Sequence, residues 1–145
     1  MSFQSDIINF SNKSAKEVDR IRRGTIIKLF SQVIDDTPVD TGRLRGNWRT
    51  SVNKTLDGTL SSKDKNGTAT KGKILNKLGK FGDSVHMTNN LPYAKVAEYG
   101  QWNGPTEKVT ASGFSRKATK GMMRKNALRA KKILRKWRDK SKFKL

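Results

Sequence analysis

Pro38-Val39-Asp40-Thr41-Gly42-Arg43-Leu44-Arg45-Gly46-Asn47-Trp48 divides two kinds of periodicity. Before it, Val18, Ile21, Thr25, Leu29 and Val33 step by three and four residues, and Ile26, Phe30 and Ile34 widen the stripe. That spacing predicts an amphipathic helix from about residue 5 or 14 to about residue 36. Pro38 ends it, because a proline disfavours helical geometry in the residue before it. After the stretch, Trp48, Thr50 and Val52 alternate with Arg49, Ser51 and Asn53, the pattern of a strand with one buried face. The stretch itself, rich in Pro, Asp and Gly, reads as a structured turn. Helix, turn and strand in this order point to an α+β fold. The expected architecture is a small, mostly antiparallel sheet packed by long N-terminal and C-terminal helices, with long extended loops.

Further along, Asp57-Gly58 signals a turn, and Thr59-Leu60-Ser61 is a short return strand by its pattern. Residues 61–82 are rich in Ser, Lys, Gly and Thr and read as a long exposed loop, with a helical turn at Ile74, Leu75, Leu78 and Phe81. Asp83 to Asn89 alternates again around Val85 and Met87. Pro92 is placed to open a short helix, with Tyr93, Val96 and Ala97 on one face and Gly100 at its end. Residues 101–117 form a second loop or arm. Over about residues 118–140, Met123, Ala127, Ala130, Leu134 and Trp137 step at helical spacing. The chain of 145 residues suits one domain over 1–145. Its core spans about residues 15–138, with a basic loop at 61–82, the loop or arm at 101–117 and a basic tail at 139–145.

Charge is unevenly spread. The formal net charge is +20, but residues 1–40 are neutral, 41–82 carry +8, 83–115 carry −1 and 116–145 carry +13. The last segment holds fourteen Lys or Arg against one acid, Asp139. Self-repulsion of that size disfavours an isolated compact chain, so phosphate backbones or acidic protein surfaces are the expected partners. The candidate contacts are Lys71, Lys73 and Lys77 in the loop, and Arg124, Lys125, Arg129, Lys131, Lys132, Arg135, Lys136 and Arg138 in the terminal helix. The loop lysines read equally well as a solvated linker. Asp35-Asp36 sit at the helix end that the macrodipole disfavours for acids. They are either solvated or face a basic partner such as Arg43 or Arg45.

Little in the chain points to chemistry. There is no cysteine and one histidine, His86, on an expected strand. Asp36, Asp40, Asp57, Asp83 and Glu98 are scattered, and nothing in their spacing sets up a magnesium site. Gly67 to Lys73 lacks the order of a phosphate-binding loop. No catalytic residue, cofactor, metal or small-molecule substrate is therefore expected. Mean hydropathy is −0.78, and no stretch approaches the roughly 20 apolar residues of a membrane span. The N-terminal residues lack the basic and apolar regions of a signal peptide, so a soluble, intracellular protein without membrane partners is expected.

Two segments carry a family resemblance. The 38–48 stretch follows a long helix. Some forty residues later comes Asn89-Asn90-Leu91-Pro92-Tyr93-Ala94-Lys95-Val96-Ala97-Glu98-Tyr99-Gly100, and then Gly121-Met122-Met123-Arg124. In this order, over about residues 15–130, they resemble the tail-completion or neck proteins of tailed bacteriophages, also described as head–tail joining or minor tail components. The resemblance implies a structural virion protein, made in the bacterial cytoplasm and assembled as a ring, with sixfold symmetry preferred. Its implied neighbours are tail tube or tail terminator proteins and head–tail adaptor proteins, with non-specific DNA contact in the lumen. A free-standing architectural or ribosome-associated nucleic-acid-binding protein is the alternative that composition favours. Within the motif, Gly42 and Gly46 permit tight turning. Asp40 and Thr41 can bond local amides, and Trp48 can anchor the strand. Leu44 completes the motif. Tyr93 and Tyr99 would pack the short helix, ended by Gly100, on the sheet, and Glu98 would pair with Arg43 or Arg45.

Overall fold

The computed structural model describes residues 2–141, so the tail positions 142–145 lie outside the described residues. The fold is α+β, rich in helix, with one small antiparallel sheet. Helix α1 runs over Phe3–Asp36. Ser2 starts it, its side-chain oxygen accepting from the Ser5 amide at 3.3 Å. Thr37 closes it just before Pro38. Only its C-terminal half enters the core: the buried residues are Ile21, Gly24, Phe30, Val33 and Ile34.

The 38–48 stretch turns through a short helix α2, Arg43–Gly46, into strand β1, Arg49–Val52. Strand β2, Val85–Thr88, pairs antiparallel with β1, Arg49 opposite Thr88 and Val52 opposite Val85. The strand is where the pattern indicated, but its facing differs. Ser51 is the buried residue of β1, while Thr50 and Val52 are only half-buried. Trp48 is buried from just before the strand, so its position does not set the alternation that follows. The return strand expected at 59–61 is absent. Asn47 takes its place as partner: its side chain donates to the Leu60 carbonyl at 3.0 Å and accepts from the Leu60 amide at 2.7 Å.

Residues 61–82 are folded onto the core, contrary to the expected exposed loop. Helix α3 covers Thr68–Gly72, and Asp64, Thr70, Ile74 and Leu78 are all buried. The composition hid this because the organising residue is polar. The Asp64 carboxylate accepts from the Gly67 amide at 2.9 Å, the Thr70 amide at 2.8 Å and the Thr70 hydroxyl at 2.7 Å. Burial, the largest single influence, pushes its pKa up. The Thr70 and Gly67 hydrogen bonds and the Arg45 charge together bring it below the ordinary aspartate value.

Helix α4 spans Pro92–Tyr99, with Pro92 in its first turn and Gly100 closing it as read from the sequence. Residues 101–117 form no free arm. Trp102 packs against the core, Val109 bridges to Ser115, and Ser115 is buried. The terminal helix is two pieces, α5 over Met123–Ala127 and α6 over Ala130–Asp139. Its buried side begins one residue earlier than the expected stripe, on Met122, Asn126 and Ile133. Met123 and Leu134 are exposed. Asn126 is the reason: its amide donates to the Met122 carbonyl at 2.8 Å and to Asp36 at 2.9 Å, fixing a polar residue inside. Helix α6 runs back along α1, with Trp137 lying on Gly24, where a Cβ would stand 2.5 Å from the indole. The core joins Phe30, Val33 and Ile34 to Leu44, Trp48, Ile74, Leu78, Leu91, Ala97 and Met122.

Candidate assembly surface

The 38–48 turn is held from three sides. Trp48 donates its indole N–H to the Thr37 hydroxyl at 2.7 Å, and that hydroxyl donates to the Val33 carbonyl at 2.7 Å. Turn, strand and the end of α1 are thereby tied inside the core. Gly42 has φ +87, and a Cβ there would meet the backbone of Asp64 and Lys65 within 3 Å. It is the point where the 61–82 segment lies against the turn, and the Asp64 amide donates to the Gly42 carbonyl at 3.0 Å. Arg45 spans the same joint, donating to the carbonyls of Lys65 at 2.6 Å, Thr37 at 2.8 Å and Asp35 at 3.0 Å. Leu44 is buried, and its carbonyl accepts from the Asn89 side chain at 2.8 Å, which joins the first motif to the second.

The remaining polar residues of the turn look outward. Thr41 accepts from the Arg43 amide at 3.3 Å as expected. Asp40 bonds no local amide. It is exposed, with Lys108 3.9 Å away. Arg43 is exposed as well. Between residues 38–44 and the 101–117 segment lies a cleft of about 500 Å³, lined also by Tyr93, Trp102, Lys108, Arg116 and Lys117.

Glu98 does not pair with Arg43 or Arg45. It is buried, and its carboxylate accepts from the amides of Met122 at 2.7 Å, Met123 at 2.9 Å and Arg124 at 2.9 Å. Those are the otherwise unsatisfied donors at the start of α5, where a negative charge is favoured. Gly121, at φ +77, lets the chain pass so close that a Cβ would stand 2.6 Å from the Glu98 carbonyl oxygen. Arg124 completes the clasp. Its guanidinium donates to the Glu98 carbonyl at 2.7 Å and stacks 4.6 Å from the Tyr99 ring centroid. Tyr99 is therefore exposed and engaged by Arg124, while Tyr93 packs against the core. The signal for the clasp was in the sequence as Glu98 and Gly121-Met122-Met123-Arg124, but nothing in their spacing shows that they meet.

The candidate cations fall into two groups. Lys71 is bound to Asp35 at 2.7 Å. Lys125 and Arg129 lie 3.3 and 3.7 Å from Asp36, and Arg138 is 3.0 Å from Asp139. Asp35 and Asp36 thus face basic side chains, though not those of Arg43 and Arg45. Lys73, Lys77, Lys131, Lys132, Arg135 and Lys136 are exposed, and none has an ion pair among the described residues. A cleft of about 570 Å³ between α1 and α6 gathers Lys28, Arg129, Lys132, Lys136 and Lys140 around Trp137. Chemically this arrangement can attract phosphate or carboxylate groups. Among the described residues no cluster of three or more His, Asp or Glu is placed to hold a metal, and no helix is long and apolar enough to cross a membrane. No family model matches the chain, and no curated protein or solved structure is significantly similar to it.

Proposed function

We propose that the chain is a structural component of a tailed-phage neck, completing the tail and joining it to the head connector as an oligomeric ring. One observation carries this reading. The three segments that resemble neck and tail-completion proteins, 38–48, 89–100 and 121–124, are far apart in sequence yet form one continuous unit. Asn89 links the second to the first, and Glu98 links the second to the third. Residues that resemble a family's motif and also hold each other in place support a shared scaffold.

In this reading the protein has no catalytic role, cofactor or small-molecule substrate. Its neighbours are further copies of itself, preferably six in a ring, together with tail tube or terminator and head–tail adaptor proteins. Heterologous contacts close such a ring. The exposed cations of α6 face DNA in the lumen, or acidic surfaces of neighbours, without reading sequence. The protein is then a virion component, assembled in the host cytoplasm. The alternative, a free-standing basic nucleic-acid-binding protein, draws support from the same exposed α6 lysines.

Electron microscopy of the purified chain mixed with tail tubes separates the two. Rings or caps seated on tube ends are expected from the neck reading. A chain that ignores tube ends and coats duplex DNA evenly at low salt would favour the alternative.

A further inference from the structure

Five cations meet in the cleft of about 570 Å³ between α1 and α6, and among the described residues no acid lines it. Lys28 comes from α1. Arg129, Lys132, Lys136 and Lys140 come from α6 and from the residues flanking it, whose backbone is helical as well. At 3.6 residues per turn these four fall within an arc of about 80°, so they form one row along the helix. From Arg129 to Lys140 the row is about 16 Å long. Lys131 and Arg135 border it on the solvent side of α6. Arg129 has Asp36 at 3.7 Å. Lys28, Lys132, Lys136 and Lys140 are exposed, and none of them has an ion pair among the described residues. Like charges held this close repel one another, and a bound polyanion removes that repulsion.

We infer that this cleft seats the phosphate backbone of a DNA duplex, one strand lying along the α6 row with Lys28 closing on it from α1. Three features select this occupant. The cations stand in line, and a duplex strand offers a phosphate about every 3.4 Å along its axis, so the row faces about five of them. A cluster of acidic side chains has no such repeat. Four of the five cations are lysines, compact charges on flexible stems, which suit a backbone met in any register. Trp137 is held by its own chain. Gly24 lies against its indole, and Arg20 and Lys140 stand 5.8 and 5.9 Å from the ring centroid. A single-strand site would instead offer such a ring to an unstacked base. The inference rests on the neck reading for the presence of duplex DNA beside the protein, and it narrows that reading's choice between DNA and acidic neighbours.

Fluorescence anisotropy of a labelled short duplex, titrated with the full chain over a series of salt concentrations, tests it. Lys28→Gln, Lys132→Gln, Lys136→Gln and Lys140→Gln together should lower the log–log salt slope by roughly 3–4 and weaken binding by roughly 100-fold at low salt. Lys54→Gln, Lys63→Gln, Lys77→Gln and Lys95→Gln together remove the same charge from other parts of the surface. That control should change the slope by less than about 1. Both variants should keep the helical circular dichroism of the parent, since every replaced side chain is exposed. An equal loss in the two variants would overturn the inference, because total charge alone would then explain binding. So would a single strand of the same length that binds more tightly than the duplex. Displacement of the duplex by poly-L-glutamate at equal charge would also overturn it and assign the cleft to acidic protein. A chain whose DNA binding depends on the cleft lysines but which never joins phage particles would leave this inference standing and remove the neck reading. A chain that joins particles but binds DNA without those lysines would do the reverse.

Discussion

Residues 41–82 and residues 116–145 are both strongly basic, and the arginines that tie down the first contrast with the lysines that line the outer side of α6. In the first region Arg45 spends its guanidinium on three carbonyls, and Arg49 donates to the Asp57 carbonyl at 2.9 Å. Lys71 is bound to Asp35. There cations join segments of the chain, as suits arginine's planar fork of donors. In the second region Lys131, Lys132, Arg135 and Lys136 stand on the exposed side of α6, while its other side rests on α1 through Ile133 and Trp137. A shared basic bias thus conceals cations built into the architecture, such as Arg45, Arg49 and Lys71, and cations offered outward, such as those of α6 and also Lys73 and Lys77.

The sharpest way to break the first region is Trp48→Ala. It removes a buried indole and the hydrogen bond that the indole donates to the Thr37 hydroxyl, and a loss of about 3–5 kcal/mol in urea unfolding is expected. An unchanged midpoint would mean that the turn is not anchored in the core. Next in size is Glu98→Gln, which weakens a charged acceptor of three helix-start amides. Here about 2 kcal/mol is expected, read as a lower melting temperature with α5 fraying first in hydrogen exchange.

Asp64→Asn probes the hub of the 61–82 segment and should cost about 1–3 kcal/mol at neutral pH. The folded carboxyl holds its proton more weakly than the unfolded one. Its contribution is therefore complete above the ordinary aspartate range and is lost as pH falls through the depressed folded value, below about pH 4. The gap between wild type and Asp64→Asn should accordingly narrow in acid. A gap constant down to pH 2 would contradict this.

Smallest in stability is the replacement of Lys131, Lys132, Arg135 and Lys136 by Gln, expected within about 0.5 kcal/mol of wild type. Polyanion binding should nonetheless weaken, with the log–log salt slope for duplex DNA reduced by roughly 3–4. Equal binding by the variant would return the outward charge to plain solvation.

The contrast also explains what was legible in the sequence. Apolar periodicity located α1, β1, β2 and α4, although in β1 the buried residue is Ser51 rather than the expected face, and β2 is half-buried along its whole length. It failed wherever a buried polar group organises the chain. Asp64 made 61–82 look like solvent-exposed linker, Asn47 replaced an expected strand, and Asn126 shifted the C-terminal stripe by one residue. The partners of Glu98 were equally hidden, since three amides of a distant turn leave no mark in residue types. Of the candidate cations, Lys73, Lys77, Lys131, Lys132, Arg135 and Lys136 stand exposed. The sequence could not separate them from Lys125 and Arg129, whose partner Asp36 lies some ninety residues earlier.

Quantitative mass spectrometry of purified phage particles, produced from the genome that encodes this chain, tests the central claim most directly. The account predicts the chain at a fixed low copy number per particle matching one ring, retained after high-salt washing. A chain absent from particles, or present at variable copy number and stripped by salt together with loose DNA, would contradict it.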